Sequence, residues 1–579
     1  MKLLKNKKVL LVGFIVLLGL FIHLYYANNL PLTNDESSYL YDTLNIRNGL
    51  IPLKDFLTKS LPFIYLLTLS QSIFGNSIFV GRLLMIVISL FTSLLLYFFA
   101  RDMLGKKIAI ISGLIYWAFP LIAAYTTQIH TEPLQVLCVI LSYLFLFRFR
   151  VSKKLHHLLF SAIAMTIAFF VRQSSIVLIL LPALFEMFSK ILFKSKFLKL
   201  PIYFFAITSV LISLVTIFAY NYFGGGRTLE LVGGGAANLA IQEKGSLGIK
   251  EIITYPFKFG LEAIVEANNL FRDGLILLSF ALLTLFYYFL AKRNKIEDKF
   301  KTYGFASIFL IFIFSMYQFR YHLFSGLWKV DMIPQVNLLF LTIVLTLLTF
   351  SHVTHRNSLS PKYFKIFNSQ FYKFLILWII ILLGIYLLWI KFRSPYLIEF
   401  FPPLLILFSI GITSFIEDIN LITNKVYKKS IRLILILFTI VSFTTSFYMN
   451  KNIYFTGLFL PAEVEEITNY IKSESPSKDT ILTALAILPY LSDDEVIYNI
   501  SHPAWYGYTN IRRDVFLLYF PPVEKLLELL KNRRVKFIIR EPFTDASYFR
   551  YKDIREQMEV NYSLVKTVGR ATIYKIKDE

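Results

Sequence analysis

The sequence predicts a polytopic α-helical membrane protein with a small extracytoplasmic α/β domain at its C-terminal end. Three observations lead there. The first is bulk composition: of 579 residues, 56% are hydrophobic and only 17% charged, with 58 Phe and 35 Tyr. A water-soluble chain of that size could not cover so much apolar surface. The second is the arrangement of the apolar residues in long runs. The third is the change in pattern after residue 450, where charges become frequent and the runs stop.

A bilayer core needs about 20 apolar residues per helical span. About thirteen such runs occur, near 9–27, 79–100, 108–124, 134–149, 158–172, 175–190, 202–222, 275–291, 303–319, 333–350, 374–390, 400–416 and 432–449. The shorter stretch 61–74 reads as an interfacial segment. Lys2, Lys5, Lys7 and Lys8 precede the first run and no small-residue cleavage site follows it, so it reads as a retained span with the N-terminus inside. The alternation that follows puts 28 Lys and Arg on predicted inner segments and 14 on predicted outer loops. The net charge of +23 therefore reads as membrane topology and attraction to anionic lipids, not as a nucleic-acid surface. This orientation makes the chain a multi-pass plasma-membrane protein, with residues 1–450 as the membrane domain and 28–78 as its first outer loop. Cys138 is the sole cysteine, lies in an apolar run and reads as a packing residue.

The remaining 451–579 reads as an extracytoplasmic α/β domain. An amphipathic helix over 463–473 places Val464, Ile467 and Ile471 on one face. Strands are expected over 480–486 and 535–540, and a helix from Pro521-Pro522 through Leu530. A hairpin of 562–568 and 571–576 turns at Gly569. Trp505-Tyr506-Gly507-Tyr508 is a candidate aromatic sugar-binding surface, although aromatics in such a domain more often form its core.

Because topology accounts for the inner cations, function is sought among outer-face polar residues. Asp35-Glu36 stands just beyond the first span, where two adjacent carboxylates at a membrane boundary demand solvent or a partner. Asn34 or Asp35 could simply cap a helix; alternatively, one carboxylate could act as a general base with its pKa raised by desolvation. Gln128-Ile129-His130-Thr131-Glu132-Pro133 forms a very short outer turn that puts Glu132 at the mouth of the bundle. Pro133 is suited to the first turn of the following helix, which Thr131 could cap. Arg172-Gln173-Ser174-Ser175 is a second tight outer turn, and a guanidinium there suits a phosphate. Lys59, Arg320, Arg393 and Tyr396 supply further outer-face cations and an aromatic, each equally suited to anchoring at the interface. Asp35, Glu36 and His130 share the outer face, which is compatible with a divalent metal, but their spacing follows no metal-binding pattern and no cofactor is required. Gly224–Gly226 and Gly233–Gly235 lack the flanking strand and Lys-Ser/Thr of a nucleotide-binding loop and read as a flexible outer segment.

The order of these motifs resembles the GT-C membrane glycosyltransferases, in the branch of the protein O-mannosyltransferases and the lipid A aminoarabinose transferase. The resemblance rests on Asp35-Glu36, Lys59-Ser60-Leu61-Pro62-Phe63-Ile64-Tyr65, Phe74-Gly75 through Gly81-Arg82, Thr131-Glu132-Pro133, and Arg393-Ser394-Pro395-Tyr396 through Pro402-Pro403. It is strongest over 30–180 and again near 390–405. Departures include Ser60-Leu61 in place of paired prolines, Thr58 where an acidic residue is common, and no Arg shortly after the acidic pair.

The resemblance implies a membrane glycosyltransferase that takes a sugar from a polyprenyl-phosphate-linked donor on the outer face and passes it to a hydroxyl acceptor on a protein, lipid or glycan. In that expectation a carboxylate, Asp35 ahead of Glu36, is the base of an inverting transfer, Glu36 or Glu132 orients acceptor or sugar, and Arg172 with Lys59 stabilises the departing phosphate. His130, Arg320, Arg393 and Tyr396 bind substrate. The competing class is a polytopic transporter or lipid flippase. Against it, charges are sparse near span centres and no pair of repeated halves is detectable.

Overall fold

The computed structural model describes residues 7–52, 54–56, 58, 60–193, 200–223, 370–388, 397–421, 459–474, 479–496, 522–549 and 551–577, with isolated positions between 429 and 447. The expected spans near 275–291, 303–319 and 333–350, most of 432–449, and the 505–508 aromatics lie outside the described residues, as do Lys59, Arg320, Arg393 and Tyr396.

Every apolar run before residue 223 folds as helix. α1 (Lys7–Asn29) leads into α2 (Asn34–Arg47) and α3 (Leu61–Phe74), and then come α4 (Ile78–Leu104), α5 (Lys106–Ala118) and α6 (Pro120–Thr127). α7 (Thr131–Ser152), α8 (Leu155–Val171), α9 (Ser175–Phe193) and α10 (Leu200–Phe223) complete the first half. α11 (Gln370–Leu388) and α12 (Leu397–Leu421) pack back onto it. Among the described residues, α1, α4, α7 and α10 each contain a segment long and apolar enough to cross a membrane. The run expected as one span over 108–124 is instead broken into α5 and α6, bent by 58°. Pro120 is the reason: it has no N–H to donate into the preceding turn, so α5 ends at Ala118 and the chain restarts. The helices that follow pack through aromatics, with Tyr143 of α7 edge-on to Trp378 and Phe374 of α11 at 4.9 and 5.2 Å.

α2 opens with a capping box. Thr33 Oγ1 accepts from the Glu36 amide at 3.1 Å, and Glu36 Oε2 accepts from the Thr33 amide at 2.9 Å. The expected caps Asn34 and Asp35 are therefore already inside the helix. The Thr-x-x-Glu spacing makes Thr33 the better cap, because both ends of that motif satisfy an amide. α3 buries Phe63, Ile64 and Leu67 and leaves Tyr65, Leu69, Ile73 and Phe74 exposed.

The C-terminal region begins with α13 (Pro461–Glu474), which buries Val464, Ile467 and Ile471 as the periodicity predicts. β1 (Thr480–Leu482), α14 (Ile487–Ser492), β2 (Glu495–Val496), α15 (Val523–Lys531), β3 (Phe537–Arg540), α16 (Pro542–Ser547), α17 (Lys552–Asn561), β4 (Tyr562–Val568) and β5 (Ala571–Ile576) follow. The five strands form one mixed sheet in the order β2-β1-β3-β5-β4. β1 is parallel to both β2 and β3, while β5 is antiparallel to β3 and β4. The strand expected over 480–486 ends at Leu482, because the Thr483 hydroxyl accepts from the Leu485 amide and turns the chain toward α14.

This region is seated on α2 and α3. The Ile487 amide donates to Ser37 Oγ at 2.7 Å and the Val496 amide to the Tyr41 hydroxyl at 2.9 Å. Tyr490 donates its hydroxyl to Gln71 Oε1 at 2.9 Å, and the Leu32 amide donates to the Phe459 carbonyl at 3.0 Å. All these groups are buried, so each bond satisfies an amide or hydroxyl that water cannot reach. Tyr41→Phe and Ser37→Ala each orphan one buried amide at an expected cost of about 1–3 kcal/mol. The measurement is thermal unfolding in detergent, paired with limited proteolysis of the region after residue 459; both variants should melt earlier and be cut faster than wild type.

Candidate active site

The site is built outward from one buried ion pair. Arg82, in the first turns of α4, is fully buried, and all five of its N–H groups have acceptors. Nε and Nη2 donate to Glu36 Oε1 and Oε2 at 2.9 and 3.1 Å. Nη1 donates to the Ala27 and Leu30 carbonyls at 3.0 and 2.8 Å, and Nη2 also to the Pro31 carbonyl at 3.2 Å. The cation thus caps the C-terminal carbonyls of α1, where a helix favours positive charge. Gly81 lets this turn approach: a Cβ there would come within 2.5 Å of Ile129 Cδ1.

Glu36 is equally saturated. Besides Arg82 and the Thr33 amide, its Oε1 accepts from the Ile129 amide at 3.0 Å. Burial alone would raise its pKa, but the Arg82 charge and hydrogen bonds, with His130 and the Ile129 amide, hold the carboxyl below the usual glutamate range. Glu36, expected to orient acceptor or sugar, is instead found wholly inside this network. It has no exposure and four donors on its two oxygens, so it serves to join α1, α2, α4 and the turn before α7.

Asp35, its neighbour, takes the opposite environment. It is half-buried, and one turn along the same face stands Tyr39. Burial pushes the Tyr39 phenol well above its ordinary value; the negative charges of Asp35 and Glu132 push the same way, Arg172 opposes them, and Asp42 adds to the rise. Glu132 in turn feels Arg172, His130 and Asp35. Asp35, Glu132 and Arg172, from three separate segments, thus all act on Tyr39, and Glu132 feels both of the others. Tyr39 is a member of the site that the sequence reading missed, although its i+4 spacing from Asp35 on a helix was visible.

Glu132 is in the first turn of α7, 5% exposed, and its Oε2 accepts from the Thr131 hydroxyl at 3.2 Å. Thr131, expected as the cap, is itself the first helical residue; His130 holds the cap position without a side-chain bond. Glu132 Oε1 accepts from Arg172 Nη1. Arg172 closes α8 and also places Nε 3.4 Å from Glu399 Oε1 of α12. Ser174 donates to the same Glu399 oxygen at 3.3 Å, and Gln135 Nε2 donates to Ser174 and Ser175 at 3.0 and 2.8 Å. Glu399 and Gln135 were not anticipated; each sits within a turn of a proline-containing motif that drew attention to its neighbours instead.

His130 is buried and acts electrostatically on both Glu36 and Glu132. It does not join Asp35 and Glu36 as a metal ligand set: Arg82 already occupies Glu36, and among the described residues no cluster of three His, Cys, Asp or Glu side chains is arranged to hold a metal. Position 60 explains one departure from the resembling family. Ser60 has φ +58°, and proline, locked near −65°, could not adopt it.

Residues 59–220, from α3 through most of α10, match the family described as dolichyl-phosphate-mannose-protein mannosyltransferase. Among solved structures, the chain is similar to the Archaeoglobus fulgidus oligosaccharyltransferase tethered to an acceptor peptide, with 11% identity and a TM-score of 0.51. That match covers 98% of this chain and 74% of the other. It is similar also to ArnT from Cupriavidus metallidurans bound to undecaprenyl phosphate, with 10% identity, a TM-score of 0.51 and 97% of each chain covered. No curated protein matches it. These likenesses establish the fold, which this chain shares with that oligosaccharyltransferase and with ArnT.

The Arg82–Glu36 pair makes a direct prediction. Arg82→Met leaves a buried carboxylate without its cation and should destabilise the protein by about 3–5 kcal/mol, whereas Glu36→Leu/Arg82→Met, which removes both charges, should recover much of that loss. Because the folded pKa of Glu36 is depressed, its stabilisation is fully present above the ordinary glutamate range and is lost as pH falls through the lower folded value. Melting curves between pH 7 and pH 3 should therefore fall more steeply for wild type than for the double variant.

Proposed function

We propose that this chain is a membrane glycosyltransferase that moves a hexosyl or pentosyl group from a polyprenyl-phosphate-linked donor to a hydroxyl acceptor on a protein, glycolipid or glycan of the cell envelope. The observation that carries this reading is the division of labour between two adjacent carboxylates. Glu36 is sealed into the scaffold, while Asp35 is half-buried, acts on Tyr39 and Glu132, and shares both of those neighbours with Arg172. The match of 59–220 to a mannosyltransferase family supports the reaction class. Undecaprenyl phosphate bound to the structurally similar ArnT supports a lipid-phosphate donor, and the acceptor peptide on the similar oligosaccharyltransferase supports a macromolecular acceptor.

In this reading Asp35 takes the proton from the acceptor hydroxyl. The hydroxyl oxygen forms the new bond to the anomeric carbon, and the bond from that carbon to the phosphate oxygen breaks. The electron pair leaves with the polyprenyl phosphate, and configuration at the anomeric carbon is inverted. A phosphate is a good leaving group and needs charge stabilisation more than a proton, which is the task assigned to Arg172 together with Lys59. Glu132 holds Arg172 at the mouth of the bundle, and Tyr39, whose phenol stays protonated, can donate a hydrogen bond to sugar or acceptor. Arg320, Arg393 and Tyr396 remain assigned to substrate, and the site faces outward with the N-terminus inside.

A general base contributes typically about 10²–10⁴-fold, so Asp35→Asn should lower transfer by that factor while leaving the melting temperature near wild type. Membranes are incubated with labelled polyprenyl-phosphate sugars, and loss of label from the lipid is followed. Label that crosses the bilayer while still attached to its lipid would instead identify a flippase, and undiminished turnover by Asp35→Asn would remove Asp35 from its role.

A further inference from the structure

Arg172 is the cation to which the proposed reaction gives the donor phosphate, yet its guanidinium is already shared. Nη1 pairs with Glu132 and Nε lies 3.4 Å from Glu399. Each contact takes a different edge of the planar fork, so a phosphate seeking two parallel N–H donors meets a carboxylate whichever edge it approaches. The two carboxylates are not held alike. Glu132 is in direct contact with the cation. The Glu399 contact is longer than an ordinary N–H to oxygen hydrogen bond, and the same Glu399 oxygen also accepts from Ser174. Ser174 is in turn held by Gln135 at 3.0 Å, and Gln135 reaches Ser175, whose hydroxyl donates to the Ala168 carbonyl. Glu399 is thus tied on one side to Arg172 and on the other to a chain of neutral donors rooted in α7 and α8. At 1% exposure, it has no route to satisfaction by bulk water.

We propose that Glu399 is a positioning residue that competes with the lipid phosphate for Arg172: donor binding displaces Glu399 from Nε, and Ser174 retains the displaced carboxylate. No covalent step is involved. The exchange swaps one anion for another at a single cation, so it lowers affinity for the phosphate in the donor and in the spent carrier alike. An enzyme that must release polyprenyl phosphate after each turnover benefits from that reduction, because uniform tight binding of both would slow product release. This inference rests on the assignment of Arg172 to the lipid phosphate.

The test is direct binding of undecaprenyl phosphate, with undecaprenol as the neutral control, to the detergent-solubilised full chain. Glu399→Gln removes the competing charge and keeps the shape, so it should bind undecaprenyl phosphate roughly three- to tenfold more tightly than wild type, with undecaprenol unchanged. Ser174→Ala acts in the opposite direction, since a Glu399 that has lost its second donor rests more firmly on Arg172; binding of the phosphate should weaken roughly two- to fivefold. Opposite signs in the two variants are what competition requires, whereas a merely structural role would weaken binding in both. In turnover assays Glu399→Gln should lower the KM for donor and the kcat together. If Glu399→Gln binds undecaprenyl phosphate no more tightly than wild type, the proposal is overturned while the functional reading stands. If wild type binds undecaprenyl phosphate no better than undecaprenol, the assignment of Arg172 fails, and the competition with it.

Discussion

The guanidinium of Arg82 is where the architecture of this end of the helix bundle is decided. Five donors in one plane reach the end of α1, the stretch joining α1 to α2, and the Glu36 carboxylate. Glu36 passes the constraint on to the turn before α7 through the Ile129 amide. Neither charge is exposed, so neither is screened, and the pair is tolerable only because every donor and acceptor is used. Loops at a membrane boundary would otherwise drift, since the apolar spans beneath them slide against lipid at little cost. A saturated ion pair has a single geometry, and that geometry fixes the azimuth of α2.

The consequence reaches beyond the membrane helices. With α2 held from below by Arg82, its other face is free to receive the sheet region, through Ser37, Tyr41 and the nearby Gln71 of α3. Residues 35, 39 and 42 share one stripe of α2, while 37 and 41 share another. A helix of fourteen residues therefore serves as a common wall, one side facing the polar cluster and the other the C-terminal region. The polar cluster and the C-terminal region are therefore tied to the same short helix, and a shift of one is felt by the other through α2.

Much of this was legible in the sequence because it depends on short-range or bulk properties. Apolar length located the helices, and a period near four located α13. The turn at Gly569, held at φ +55°, marked the β4–β5 hairpin. The two outer turns at 128–133 and 172–175 were recognised as too short to be spacers, and they do converge. What could not be read was pairing between distant segments. Arg82 entered only as the last residue of the Phe74–Arg82 motif and Glu36 as half of an acidic pair, because nothing local says that residues 46 apart in sequence will exclude water from each other. Glu399 was hidden by a distance of 227 residues from Arg172. The capping box was a different kind of miss: Thr33 and Glu36 stand at the standard spacing, and attention to the acidic pair obscured it.

The pairing of adjacent carboxylates with opposite environments also has a chemical logic. Successive residues at the start of a helix point about 100° apart, so one can be driven into the protein while the next stays near solvent. Sealing Glu36 does more than brace the loop: it keeps a second negative charge from sharing the cavity with Asp35, because that charge is compensated at once by Arg82. Asp35 then acts on Tyr39 and Glu132, and Glu132 is paired with Arg172. A base placed this way can respond to the arrival of an anionic donor, since any phosphate that engages Arg172 withdraws a cation from the carboxylates and makes a proton on Asp35 easier to hold. Under the proposed reaction, engagement of Arg172 by a donor phosphate and the basicity of Asp35 would then be coupled through one arginine, because both depend on the same guanidinium.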